Sequence, residues 1–218
     1  MGGGPATGTG RLLPALLLVL TVLSGLIDAV SIIGLGHVFV ANMTGNLVFV
    51  SLGMAGVSGF SVVTSVVALG GFVAGILLCR STVGRLDAPL ALVRVGAGCE
   101  TVLLGTAAAL SAVGVPHDAL VAICAVALGM QNAMAGRLGI GGLTTSVMTR
   151  TLVALVSDAG APRHPRPLAA RQALSVVALI AGAAIGALVV LHVSPAAAIA
   201  AAAGCALAVA VTAAAAEK

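Results

Sequence analysis

The chain has 218 residues, 60% hydrophobic and 7% charged, with a mean hydropathy of +1.23 and a formal net charge of +4. No water-soluble domain of this size hides so much apolar surface, so the composition predicts an all-α polytopic membrane protein. There is no Trp or Tyr and only four Phe, which removes the stacking surface of a nucleic-acid binder; the basic excess reads as loop charge held on one side of a bilayer.

Residues 1–11 form a short tail ending in Arg11. The apolar run that follows, Leu12 to Ile33, is too long for a signal-peptide core and is read as the first membrane helix, retained. Next come a short stretch, Met43 to Gly56, then Phe60 to Cys79 and Pro89 to Val113. The second half holds Asp118 to Ala135, a short stretch Leu143 to Ser157, Gln172 to Leu191 and the alanine-rich Ala196 to Ala216. A crossing needs about 20 apolar residues to span a core of ~30 Å. The two short stretches reach only about 21 Å as helix.

The cations decide between two topologies. If every stretch crosses, Arg80, Arg85 and Arg137 lie opposite Arg11, Arg163, Arg166, Arg171 and Lys218. If the short stretches dip in and return, all eight fall on one side, as the positive-inside rule requires. The expectation is therefore six crossings and two re-entrant half-helices, with both termini and the Pro/Arg loop 158–171 in the cytoplasm.

The halves echo each other. "GLIDAV" at Gly25 to Val30 answers "GMQNAM" at Gly129 to Met134, and "MTGNLV" answers "MTRTLV". "GFVAG" at Gly71 to Gly75 answers "GAAIG" at Gly182 to Gly186, and "AGC" at Ala97 answers "AGC" at Ala203. Residues 12–113 and 118–216 thus read as two repeats. Three crossings per repeat invert the second copy, an architecture recurrent in transporters. The small-xxx-small pairs Gly71/Gly75 and Gly182/Gly186 suit close helix packing.

The polar run "NMTGN", Asn42 to Asn46, falls where the first half-helix begins. Asn42 or Thr44 is expected to cap it, and Gly45 to permit close approach. Its free N–H groups would point at the midplane near those of the second half-helix at Thr149, a pair of positive helix ends suited to an anion or polar solute. Asp28 and Glu100 are costly at membrane depth, so each must be paired, neutral or functional, and both are candidates for proton coupling. Arg150 is a candidate partner for Asp28 or for an anionic solute. Arg94 lies six residues before Glu100, on another helix face, and is expected at the interface. Gln131 and Asn132 mirror Ile27 and Asp28 and line a polar path or bond across helices. The candidate substrate set is Asp28, Asn42, Thr44, Gly45, Asn46, Gln131, Asn132, Thr149 and Arg150.

The segments "DAVSIIGLGHVFVANMTGN", "GMQNAMAGRLG" and "TTSVMTRTL" resemble the YoaK family, small bacterial inner-membrane proteins of unknown function. The likeness runs from about Leu13 to the last helix. It implies about six membrane spans and no settled activity or substrate. Arg150 stands where the family pattern often has a small residue.

His37, His117, His164 and His192 lack metal-ligand spacing, and the cysteines Cys79, Cys99, Cys124 and Cys205 form no CxxC pair. HExxH, GxSxG, Walker and dinucleotide fingerprints are absent. The sequence therefore predicts no enzyme, cofactor or metal. It points to a small secondary transporter or channel for a polar or anionic small solute, with a homodimer compatible; the rival is a non-transporting membrane scaffold, regulator or assembly partner.

Overall fold

The computed structural model describes residues 9–140 and 166–217 together with Thr151, Val153 and Val156. Seven helices are resolved among these: α1 Thr9–Gly34, α2 Met43–Met54, α3 Val62–Thr82, α4 Pro89–Ala112, α5 His117–Leu138, α6 Arg166–His192 and α7 Pro195–Ala216. Six of them are long and apolar enough to cross a membrane, and α2 is not. At 12 residues, α2 spans about 18 Å.

Local chemistry sets the helix boundaries. The Ser61 and Ser194 hydroxyls accept from Thr64 N–H and Ala197 N–H and cap α3 and α7. Proline occupies the first turn of α4 and of α7, where its missing N–H leaves no bond unmade. Gly139, at φ 59, ends α5 in the left-handed conformation.

Helices α1 and α5 form the centre, each 61% buried along its most apolar window, against 28% for α3 and 22% for α6. α6 packs along α1, α3 along α5, and α4 along α7; α4 also leans on α5, and α7 on α1. The crossings are close because glycine removes the side chain at each. Gly25 faces the Leu179 carbonyl, and Gly182 and Gly186 face those of Val22 and Leu26. On the other side Gly129 faces the Phe72 carbonyl, and Gly71 and Gly75 face those of Ala122 and Val126. Backbones this near gain van der Waals contact without a hydrophobic driving force, as helices in lipid must. α7, weak as an insertion signal because it is mostly alanine, lays Ala198, Ala202, Ala206 and Ala213 into the core for the same reason.

The ends of the bundle differ in charge. At the end where α1 finishes, a β-carbon on Gly34 would stand 3.1 Å from Pro195, and Thr64 Oγ1 donates to Asp118 Oδ1 at 2.7 Å. The α1 terminus, the α3 start and the α5 start therefore share this Gly34 end, so α2 does not carry the chain across the bundle. The opposite end holds Arg137, which donates to the Val83 carbonyl at 2.6 Å and the Leu86 carbonyl at 3.3 Å beyond α3. Arg80, Arg85, Arg94 and Arg171 also belong to helix termini at this Arg137 end. Among the described residues no Arg or Lys lies at the Gly34 end.

Candidate functional site

The chain turns back into the bundle after α1. Gly36 at φ 96 and His37 at φ 58 form the reversal; His37, exposed, takes the left-handed conformation that non-glycine residues rarely adopt. The returning strand of backbone is then held at two points. Asp28 Oδ1, on α1, accepts from Val40 N–H at 3.3 Å and Ala41 N–H at 3.2 Å. Asn46, fully buried on the first turns of α2, accepts at Oδ1 from Phe39 N–H at 2.9 Å and donates through Nδ2 to the Phe39 carbonyl. One amide thus satisfies both polar groups of one residue's backbone. Gly45 leaves room for the Phe39 ring, which a β-carbon would approach to 2.6 Å. Phe39 stacks on Phe49 at 5.6 Å between centroids, and Phe49 meets Phe60 at 4.9 Å.

The expected helix cap is corrected here. Asn42 occupies the N-cap position of α2, but its side chain makes no cap bond and is exposed. Thr44 is exposed as well. The Asp28 carboxylate is bonded to the N–H groups just ahead of α2. Asn46 and Gly45 act on Phe39 instead. The charge and amide of this region work as a latch on the loop.

Gln131 sits at the contact of the two central helices. Its Nε2 donates to Ser24 Oγ at 2.7 Å and to the Leu20 carbonyl at 3.2 Å, while its Oε1, buried, has no hydrogen-bond partner. Asn132 donates to the Leu128 carbonyl at 2.9 Å. Glu100 lies at the middle of α4, 1% exposed, with neither carboxylate oxygen bonded. The helix α7 packs along α4. Arg94 is turned away and pairs with Glu217 at 2.9 Å. Thr149 and Arg150, and most of the stretch Leu143 to Ser157, lie outside the described residues, as does any pairing of Asp28 with Arg150; Thr151 is buried. No group of three or more His, Cys, Asp or Glu gathers as a metal site among the described residues.

Sequence reasoning passed over Ser24, Gly25 and Gly129 as contact residues. Gly25 and Gly129 were visible as the first letters of two echoed hexapeptides. Ser24 carried no signal, since a serine inside an apolar run shows its partner only once the helices are packed.

Comparison with known proteins follows the same lines. The family described as "Protein of unknown function (DUF1275)" matches residues 16–212, nearly the whole bundle. The chain belongs to this family. Within DUF1275 it is similar to the UPF0700 transmembrane protein YoaK of Bacillus subtilis (strain 168), 34% identical over 147 residues. That match covers 66% of this chain and 65% of the relative. No solved structure matches. Membership and the six long apolar helices together make the chain a multi-pass membrane protein of the YoaK family.

Proposed function

We propose that the protein is a small secondary transporter or channel for a polar or anionic small solute, built from two inverted repeats in a bacterial inner membrane. The observation that carries this is the matching of helix crossings. Gly25 meets Leu179 on α6 as Gly129 meets Phe72 on α3, and Gly182 meets Val22 as Gly75 meets Val126. Exchanging α1 with α5, α3 with α6 and α4 with α7 reproduces the packing, and α1 and α5 run in opposite directions through the bundle. Under this exchange Gly75 corresponds to Gly182. That is one helical turn from the register of the "GFVAG" and "GAAIG" echo, because packing aligns faces rather than letters.

Further features support the membrane topology. The latch at Asp28 lies six residues below Gly34, roughly 9 Å down the helix, so α2 starts at depth and rises back to the end it came from. This fits a re-entrant half-helix, tolerated in a bilayer when protein satisfies the descending backbone. Gathering of arginines at the Arg137 end favours that end, with both termini, as cytoplasmic. Buried polar atoms left without partners, at Gln131 Oε1 and Glu100, suit a protein that handles a polar solute better than one whose interior is only a support. In this proposal Gln131 and Asn132, with Thr149 and Arg150 of the second repeat, contact the solute, and Asp28 and Asn46 hold the half-helix that frames it.

The test is uptake of a panel of small polar and anionic solutes by proteoliposomes. Flux of one solute that Gln131→Leu abolishes while the protein stays folded is the expected result. No flux for any solute, with one stoichiometric partner recovered from membranes, would replace this reading by the scaffold alternative. The internal bonds of Asp28 and Asn46 are what that alternative has in its favour. Topology is tested separately by impermeant thiol reagents on single cysteines at Ser58 and Ser81, both exposed. Ser58 outside and Ser81 inside is expected.

A further inference from the structure

Two clefts enter the bundle from opposite ends. The one at the Gly34 end, of about 500 Å³, lies between the end of α4 and the starts of α5 and α7, with Ser111, His117, Leu120 and Ser194 in its wall. The one at the Arg137 end, of about 200 Å³, lies between the starts of α1 and α4 and the end of α5, with Leu13, Asp87, Leu92 and Arg137. Both are walled by α4: Ser111 reaches the first, and Pro89 and Leu92 the second. Residues spaced three and four apart share a helix face. Descending from Ser111, that face carries Ala107, Leu104, Glu100, Gly96 and Leu92, all buried. Glu100 is therefore halfway between the clefts, on a helix face that borders both; α1 reaches both as well, through Gly34 and Leu13, and so does α5, through His117 and Arg137.

Few titratable groups share that level, and the nearest buried amide on α5 is Gln131, whose Nε2 is bonded to α1. α7 brings the Cys205 thiol; its Glu217 is at the far terminus, paired with Arg94. α5 brings the thiol of Cys124 at mid-height, while its His117, Asp118 and Arg137 are at its ends. On α4 itself Cys99 is the neighbouring titratable group. A carboxyl in such surroundings needs a counter-charge, a polar ligand or a proton. No cation is set against it among the described residues. Packed core separates it from the clefts: Leu104 and Ala107 above and, below, the Met134 side chain lying across Gly96. Methionine is unbranched with three rotatable bonds, so it swings aside over a glycine without moving a backbone.

We infer that Glu100 is a proton-exchange site, loaded and unloaded through the two clefts along this face of α4. The carboxylate takes H⁺ arriving through one cleft and releases it through the other, with no other bond made or broken. This deepens the transport reading and rests on it for the use made of the proton; exchange itself is measurable without a solute.

The experiment uses the full chain in sealed vesicles and dicyclohexylcarbodiimide, an apolar reagent that adds the O–H of a protonated carboxyl across one of its C=N bonds. Mass spectrometry reads the adduct at Glu100. Labelling is expected to rise several-fold when the medium on either side is acidified with the other held alkaline. Glu100→Gln removes the adduct. Should that variant misfold, Glu100→Asp keeps the chemistry, and the wild-type response needs no variant. Met134→Phe, wedged over Gly96, is expected to suppress the response to the Arg137 side alone. Labelling that responds to one side only, or to neither, overturns the inference, as does equal loss of both responses in Met134→Phe. Two-sided labelling without any solute flux would sink the transport reading and leave the exchange site standing. Flux with labelling indifferent to pH would do the reverse.

Discussion

The latch around α2 and the middle of α4 both place a carboxyl inside the bundle, and they treat it in opposite ways. Asp28 has two backbone N–H groups on one oxygen, and the neighbouring Asn46 amide is matched to the backbone of Phe39. Glu100, more deeply placed, has no hydrogen bond at all. A group whose bonding is complete within the fold is holding the fold. One left incomplete in a fully buried place is a standing cost that a structural role does not explain. Depth in the membrane is thus a poor guide to function until the partners are known.

Mutations sharpen this contrast, and a thiol-reactive fluorophore melt reads them all, because Cys79 and Cys124 are buried and the chain has no Trp or Tyr. Asp28→Ala should have the largest effect, stranding the Val40 and Ala41 N–H groups at a cost of roughly 3 kcal/mol or more, seen as loss of folded protein in detergent. A melting point close to wild type would mean that the latch is dispensable. Gly129→Val and Gly25→Val should each cost about 2–3 kcal/mol by forcing apart α5 from α3 and α1 from α6; unequal losses would show that the two crossings are not equivalent. Asn46→Ala should cost about 2 kcal/mol for the two bonds to Phe39. Glu100→Gln should leave the melting point unchanged or raise it, since a desolvated carboxyl without partners contributes nothing to stability. A marked fall would assign Glu100 a structural bond and erase the contrast. Arg94→Ala should be the smallest change, within about 0.5 kcal/mol, as its ion pair with Glu217 is solvent-exposed.

Much of the fold was legible in the residue order. Each of the six long helices begins and ends within a few residues of its apolar run, because a span is set by hydrophobic length and bounded by residues such as Ser61, Pro89 and Gly139. That α2 is too short to cross was likewise legible from the length of its apolar stretch. Family membership was carried by the same polar segments that later proved to build the latch.

The roles of the polar residues were not legible. "NMTGN" announces amides at depth, yet which of Asn42 and Asn46 turns inward depends on how the chain enters α2, where Asp28 holds the N–H groups of Val40 and Ala41 from twelve and thirteen residues earlier. Likewise the glycine echo gave the right residues in a register one turn away, since a helix face is selected by the neighbour it meets. Glu100 looked like Asp28 in the sequence, an acid inside an apolar helix. Only packing distinguished them, because hydrogen-bond satisfaction depends on atoms far along the chain, whereas hydrophobic length and charge position depend on the chain alone.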